Sequence, residues 1–187
     1  MKVLLLDNFD SFTYNLFHYL EALDCDVTVA RNNAISIEEI ASFDKIVLSP
    51  GPGLPSDAGI MMEIIENYVF QKPILGVCLG MQALCEYFGG TLYNQPIVKH
   101  GVIEKCKHNK KSKLFINVPE IFDVGLYHSW ATDISKINDL NETAFSENEI
   151  LMAFEHAQFP VYGVQFHPES LMTTQGRDII KNFLSAH

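Results

Sequence analysis

Short apolar runs alternate with helical patterns in the first half of the chain. Runs such as KVLLL are continuously apolar, which is typical of strands buried on both faces of a parallel sheet. Ser36, with Glu39 three residues later, has the spacing of a capping box at a helix start. The alternation predicts right-handed βαβ units, and therefore an α/β fold with a mostly parallel central sheet covered by helices on both faces. The predicted strands are 2–6, 26–30, 45–49 and 73–77. One helix is predicted to begin after residue 10, and three more are predicted at 35–43, 58–69 and 79–88.

The pattern changes at residue 91, where short β-type runs begin to dominate. They predict antiparallel strands added to the parallel sheet in the second half of the chain. The runs are TLY, VIEKCK, LFINV, DVGLYHSW, TAFS, ILMAFEH and VYGVQF. A last amphipathic helix is predicted at about 174–185. Because no linker or repeat interrupts the pattern, residues 1–187 are predicted to form a single domain.

Composition narrows the classes of function. The chain of 187 residues is 48% hydrophobic, which is enough for one sizeable core. Its net charge of -10 argues against a nucleic-acid partner, which needs a basic surface. One local exception is the lysine-rich stretch KCKHNKKSK at 105–113, which predicts a solvated turn or, alternatively, a docking patch for an acidic partner.

Cysteine usage and hydropathy bear on the location of the protein. The four cysteines form neither a CxxC pair nor a zinc-binding spacing. A disulfide scaffold is not expected at this length and apolar content, so a reducing compartment fits better. The apolar start ends at Leu6, which is too short for the core of a signal peptide, and no stretch reaches the length of a membrane span. We therefore expect a cytoplasmic protein that does not enter a membrane.

A cysteine stands at a predicted strand-to-helix turn in the stretch GVCLG, residues 76–80. A nucleophile at such a turn projects from the carboxyl end of the sheet, where α/β folds place their sites. The free N–H groups of the next helix favour a thiolate and can donate to an oxyanion. Cys78 is therefore a candidate nucleophile, and the alternative is a small buried hydrophobe. Cys85 is better interpreted as packing inside the helix.

A candidate base for this nucleophile lies in VQFHPES, residues 164–170. His167 and Glu169 are two positions apart, so in an extended chain their side chains point to the same side. Glu169 could accept from one ring nitrogen while the other nitrogen faces Cys78. An exposed loop is the alternative. Taken with the turn at Cys78, the pair predicts a Cys–His–Glu arrangement.

Two further stretches are candidates for the walls of the same site. SPGPG, residues 49–53, predicts a rigid loop in which the N–H of Gly53 joins that of Leu79 as an oxyanion donor. The loop lacks the GK[ST] of a phosphate-binding loop, so nucleotide binding of that kind is not expected. YHSW, residues 127–130, places polar groups in an apolar strand. His128 could compete as the base, but no carboxylate lies near it in sequence. Structural roles for Tyr127 and His128 are the alternative.

These stretches, in this order, resemble the class I glutamine amidotransferases. They span nearly the whole chain, and their combination is highly specific. The start resembles that of the small subunits of anthranilate synthase and aminodeoxychorismate synthase. The resemblance implies a flavodoxin-like α/β fold of the amidotransferase type. The matching segments are DNFDSFTYN (7–15), SPGPGLPSDAG (49–59), GVCLGMQ (76–82), YHS (127–129) and GVQFHPES (163–170).

The resemblance also implies a reaction. L-Glutamine would be hydrolysed to glutamate and ammonia through a γ-glutamyl thioester on Cys78, with His167 moving protons and Glu169 orienting it. The amides of Gly53 and Leu79 would hold the oxyanion. Ammonia would pass to a chorismate-binding synthase subunit, that of anthranilate synthase in tryptophan biosynthesis or that of aminodeoxychorismate synthase in folate biosynthesis. No metal or organic cofactor is implied.

The resemblance further implies a set of glutamine-binding positions. They map onto Gly51, Gly53, Gln82 and the backbone of Ser129 and Trp130. The chain departs from the family pattern where Leu126 replaces a common Arg, Trp130 replaces a common Leu and Val102 replaces the usual Lys.

Two other classes of function are open at this point. A γ-glutamyl hydrolase or a cysteine peptidase of related fold would use the same three groups without a partner protein. A non-catalytic binding module is expected to have lost at least one of Cys78, His167 and Glu169, and all three are present. Cys78-dependent release of ammonia from glutamine would separate these classes.

Overall fold

The computed structural model describes residues 1–186. Its helices are α1 (Thr13–Glu21), α2 (Ile37–Ile40), α3 (Met61–Tyr68), α4 (Leu79–Tyr87) and α5 (Gly176–Ser185). Its strands are β1 (Lys2–Asp7), β2 (Asp26–Arg31), β3 (Lys45–Leu48), β4 (Ile74–Val77), β5 (Thr91–His108), β6 (Ile121–Asp133), β7 (Leu140–Ser146), β8 (Leu151–His156) and β9 (Val161–Val164). None of the helices within residues 1–186 is long and apolar enough to span a membrane.

The strands form one sheet in the order β2-β1-β3-β4-β9-β8-β7-β5-β6. The first five strands in this order are parallel, and the order matches that of flavodoxin-like folds. The remaining four strands are antiparallel and, like the parallel strand β9, come from the second half of the chain. The predicted fold class is confirmed. The sheet places the carboxyl ends of β1, β3, β4 and β9 side by side.

Strand β1 illustrates why the parallel half forms. Val3 and Leu5 pack into a core with α1 and α5, whereas Leu4 and Leu6 pack into a core on the other face with α3 and α4. All four side chains are fully buried. Burial of one such side chain stabilises the fold by about 1.5–3 kcal/mol, so a continuous apolar run is favoured at this central position.

The predicted capping box at the start of α2 is confirmed. Glu39 N–H donates to Ser36 Oγ at 3.4 Å, and Ser36 N–H donates to Glu39 Oε2 at 2.9 Å. The last predicted helix is also confirmed as α5, which buries its apolar side against the core. In the lysine-rich stretch, Lys105 pairs with Asp123 and Lys110 pairs with Glu120, both at half-exposed or exposed positions, as expected of a solvated face.

Three details of the prediction were wrong. LFINV is not a strand, because Leu114 and Phe115 turn into the core on a 3₁₀ helix and Asn117 has a positive φ of 61°. TLY and VIEKCK belong to one long strand, β5, with irregular register near its middle. The helix predicted at 58–69 is shorter, because α3 begins at Met61 and the chain before it forms a 3₁₀ turn at Pro55–Asp57.

Candidate active site

Cys78 occupies the turn between β4 and α4, as predicted from the sequence. Its backbone has φ 52° and ψ -102°, a conformation that costs a non-glycine residue roughly 1–3 kcal/mol. The turn is held by Cys78 N–H, which donates to Val164 O at 2.8 Å. A Cβ on Gly76 would lie 2.5 Å from backbone atoms of Gly80, so the close approach of strand and helix requires glycine there. The strained turn therefore presents the sulfur at the carboxyl edge of the sheet.

His167 and Glu169 form a buried pair beside this turn. Their Nδ1 and Oε1 atoms are 2.7 Å apart, and each residue is 2% exposed. The chain here bends and turns rather than running extended, but the predicted same-side pairing is present. His167 N–H donates to Gly125 O at 3.1 Å, and Thr173 Oγ1 donates to His167 O at 2.6 Å. The backbone N–H and C=O groups of His167 are therefore both held by hydrogen bonds.

The charge state of His167 follows from its surroundings. Burial disfavours the imidazolium, but the neighbouring sulfur of Cys78 and the carboxylate of Glu169 outweigh burial and hold the pKa of His167 well above its ordinary value. The Nε2 atom of His167 and the Oε2 atom of Glu169 are buried without a hydrogen-bond partner in residues 1–186. The pair thus keeps one ring nitrogen available on the side away from Glu169.

Aromatic rings pack against the imidazole of His167. The ring centroids of Phe12 and Tyr127 lie 5.7 and 4.9 Å from that of His167. Tyr127 belongs to β6, and Phe12 directly precedes α1. Residues from both halves of the chain therefore pack against the same imidazole. The rings keep the imidazole in one orientation and limit access of water to it.

His128 does not take the place of His167. It is buried, and its Nδ1 lies 2.8 Å from Trp130 O and 3.0 Å from Gln95 Nε2, with no carboxylate among these neighbours. Burial lowers the pKa of His128, which favours the neutral ring. The competing assignment of His128 as the base therefore lacks an orienting carboxylate, such as Glu169 beside His167.

Of the other predicted site residues, Gly51 and Gln82 lie beside or on α4, which begins at this turn. Gly51 packs against α4, since a Cβ on it would lie 2.9 Å from a side-chain carbon of Leu79. Gln82 is buried one turn into α4 and donates from Nε2 to Trp130 O at 3.2 Å. Gly53 lies exposed in the Gly51 loop with φ 77°. Ser129 is half-buried next to Trp130.

One residue of the site was missed by sequence reasoning. Gln165 is fully buried, and its Nε2 lies 3.5 Å from the sulfur of Cys78. The available signal was a lone amide at the end of the apolar run VYGVQF, two residues before His167. Among residues 1–186, no group of three or more His, Cys, Asp and Glu side chains is placed to hold a metal ion.

Comparison with known proteins identifies the family. The sequence model of the family described as glutamine amidotransferase class-I matches residues 4–186. The chain belongs to this family. This class I glutamine amidotransferase is 45% identical over 186 residues to anthranilate synthase component II of Haloarcula marismortui, with 97% of this chain and 96% of that protein covered.

Two further comparisons extend the family relationship. The chain is 40% identical over 185 residues to aminodeoxychorismate synthase component 2 of Escherichia coli K12, with 97% of this chain and 98% of that protein covered. A glutamine amidotransferase from Thermotoga maritima has the same fold, with a TM-score of 0.82 at 14% identity over 99% of this chain and 96% of that chain. The resemblance and the fold predicted from the sequence motifs are confirmed.

Proposed function

We propose that this amidotransferase is the glutaminase subunit of a synthase, and that it hydrolyses L-glutamine on Cys78 and passes the ammonia to a chorismate-binding subunit. The observation that carries the chemistry is the strained turn that presents Cys78 beside the buried pair of His167 and Glu169. The family membership supports the substrate. Anthranilate synthase is the favoured assembly because the relative of that name is 45% identical, against 40% for the aminodeoxychorismate synthase component.

The first half of the reaction forms a covalent bond to the enzyme. His167 takes the proton of the Cys78 thiol, and the sulfur attacks the side-chain amide carbon of glutamine. A C–S bond forms, and the amide oxygen becomes an oxyanion. The N–H of Leu79, at the free start of α4, and the N–H of Gly53 donate to that oxygen. The side chain of Leu79 packs against Gly51, so the loop that holds Gly53 begins beside the start of α4.

The second half releases both products. His167 returns its proton to the departing nitrogen, the C–N bond breaks and ammonia leaves a γ-glutamyl thioester on Cys78. Water, losing a proton to His167, then attacks the thioester; the C–S bond breaks, the sulfur of Cys78 takes the proton back from His167, and glutamate leaves. Glu169 orients the imidazole and stabilises its charged form. The raised pKa of His167 supports this role, because the ring can hold a proton at neutral pH between the two steps.

The substrate would lie over α4, between the loop of Gly51 and the part of β6 that holds Trp130. Gly51, Gly53, Gln82, Ser129 and Trp130 are the proposed glutamine-binding positions. Gln82 is held by the backbone of Trp130, so the exchange of the family's common Leu for Trp130 leaves that particular contact intact. The side chain of Trp130 is half-buried, and we assign it no contact with glutamine.

The rim of the site supports docking of a partner. Exposed apolar side chains follow or precede the site segments directly: Leu171 lies two residues after Glu169 and is 95% exposed, and Phe9 is 51% exposed in the loop that leads to Phe12. Exposed large apolar side chains beside a site are typical of protein interfaces. We propose that a synthase subunit covers this apolar rim, so that ammonia leaves the site into the partner.

The test combines the purified chain with candidate partners. Ammonia release from glutamine is measured alone, with component I of anthranilate synthase, and with component I of aminodeoxychorismate synthase, each for wild type and Cys78→Ala. We expect slow release alone, acceleration by the correct partner and no release above background by the variant. Equal turnover with and without partners would instead favour a stand-alone γ-glutamyl hydrolase, and no Cys78-dependent release in any mixture would refute the amidotransferase activity.

Two broader features belong to the same proposal. We propose that residues 1–187 act as one glutamine amidotransferase domain, because a single sheet connects both halves of residues 1–186. We also propose a cytoplasmic location, which the four free cysteines and the biosynthetic names of the relatives support. Cell fractionation with an antibody against the chain would check the location.

A further inference from the structure

Gln165 sits directly opposite Cys78 in the sheet. Val77 of β4 pairs with Val164 of β9, and the pairing extends by one more bond from Cys78 N–H to Val164 O. The next residue on the second strand is Gln165, which is fully buried. Its Nε2 lies 3.5 Å from Cys78 Sγ, and its Oε1 lies 3.4 Å from Gln82 Nε2. One buried amide therefore contacts two residues of the site.

The orientation of this amide follows from its neighbours. The carbonyl oxygen of Trp130 can only accept, so the atom of Gln82 that lies 3.2 Å from it must be the amide nitrogen, a donor. That nitrogen also faces the amide of Gln165, which must present its oxygen there. The remaining NH₂ group of Gln165 then points at the sulfur of Cys78. The carbonyl of Trp130, which can only accept, therefore sets the direction of every hydrogen bond in the series Trp130–Gln82–Gln165–Cys78.

A hydrogen-bond donor that faces a cysteine sulfur stabilises the thiolate more than the thiol. A thiolate accepts a hydrogen bond much more strongly than a thiol, because charge-assisted hydrogen bonds are roughly twice as strong as neutral ones. Burial alone disfavours the thiolate. An apolar side chain would fill the space of Gln165 at lower desolvation cost. We therefore expect the buried amide to be present because of its hydrogen bonds to Cys78 and Gln82.

We propose that Gln165 is a further catalytic residue, which donates to the sulfur of Cys78 and at the same time fixes the amide of Gln82. In this role it stabilises the thiolate and keeps the sulfur in line with the bound glutamine. It also couples the nucleophile to the glutamine-binding position on α4. The inference rests on the proposed function in that Cys78 is taken as the nucleophile.

The test measures the thiol directly as well as turnover. Alkylation of Cys78 by iodoacetamide is followed by peptide mass spectrometry as a function of pH in wild type, Gln165→Leu, Gln165→Met and Gln165→Glu. The exposed Gln158→Leu is the matched control. Circular dichroism and the thermal midpoint establish which variants fold, and Gln165→Met, which keeps the length of the side chain, covers failure of Gln165→Leu to fold.

The expected result is a displaced pH profile. Loss of a hydrogen bond to a charged group should raise the pH midpoint of Cys78 alkylation by about one pH unit in Gln165→Leu and Gln165→Met. A carboxylate in Gln165→Glu should raise it further, and Gln158→Leu should match wild type. At neutral pH, kcat for glutamine should fall about tenfold with the midpoint, and KM should rise because Gln82 loses its support.

The outcomes separate this inference from the proposed function. Wild-type alkylation profiles in folded Gln165→Leu and Gln165→Met would overturn the role of Gln165, even if Cys78→Ala abolishes ammonia release. Undiminished ammonia release by Cys78→Ala would instead overturn the proposed function, whatever the alkylation profiles show.

Discussion

Nδ1 of His167 lies 2.7 Å from Oε1 of Glu169, with both side chains buried and the backbone of His167 fixed by Gly125 and Thr173. The contact determines which ring nitrogen is free. Because Glu169 accepts at Nδ1, we assign to Nε2 the proton that moves in the proposed reaction. The geometry makes Glu169 the group that sets the tautomer of the imidazole, and Glu169 and Cys78 together favour its charged form.

Replacing this carboxylate with its neutral isostere should disable proton transfer without removing the contact. We predict that Glu169→Gln lowers kcat for glutamine hydrolysis by roughly 10²–10⁴-fold, the usual contribution of a positioned acid–base group, with a small change in KM. Steady-state kinetics with the partner present would measure this. The exposed Glu147→Gln is the matched control, and equal kcat in both variants would contradict the assignment.

The same pair should stabilise the fold in a pH-dependent manner. The pKa of His167 is raised in the folded state. The stability that its protonation adds is therefore fully present below the ordinary pKa of about 6.5, and it is lost as the pH rises through the pKa of the folded state. The free energy of unfolding lost in Glu169→Gln should therefore be larger near pH 6 than at alkaline pH. Urea titrations of both proteins across this range test the sign, and a loss that grows with pH would be inconsistent with it.

The two cysteines of GVCLGMQALC should differ sharply in reactivity. Cys85 is fully buried, and burial raises its pKa to about 12, so it is almost entirely a neutral thiol near pH 7. We predict that an electrophile shaped like glutamine labels Cys78 and spares Cys85. Peptide mapping after labelling would show the site, with excess glutamine as the protecting control. Equal labelling of the two cysteines would argue against a selective site at Cys78.

The apolar rim should matter only when the partner is present. We predict that Leu171→Asp weakens the complex with the synthase subunit by tenfold or more, because a charge would be buried in the interface, a loss of about 1.4 kcal/mol or more. Titration of partner-activated ammonia release gives the apparent affinity. Ile121→Asp, at another exposed apolar residue at the start of β6, is the control and should bind as wild type does.

The parallel half of the fold could be predicted from the sequence because its signals are local. A run such as KVLLL, glycines around Cys78 and the Ser36 capping box each specify their own backbone within a few residues. LFINV failed for the opposite reason: Leu114 and Phe115 are apolar because of where α5 packs, not because of a strand period. Such tertiary contacts override a short apolar run.

The site was predictable as far as residue types and spacing could carry it. The pairing of His167 with Glu169 was expected from their spacing in an extended chain, and the 2.7 Å contact forms although the chain turns there. Gln165 was missed because its contact with Cys78 crosses between strands 87 residues apart in the chain. The packing of Phe12 and Tyr127 on His167 likewise depends on how β6 meets the loop before α1.

The central claim is that Cys78 carries the γ-glutamyl group of glutamine during turnover. The most direct measurement is acid quenching of the enzyme with its partner during glutamine turnover, followed by peptide mass mapping. The account predicts one γ-glutamyl group on the Cys78 peptide of wild type and none in Cys78→Ala, which should release no ammonia above background. Full ammonia release by Cys78→Ala, or turnover of wild type with no adduct on Cys78, would contradict it.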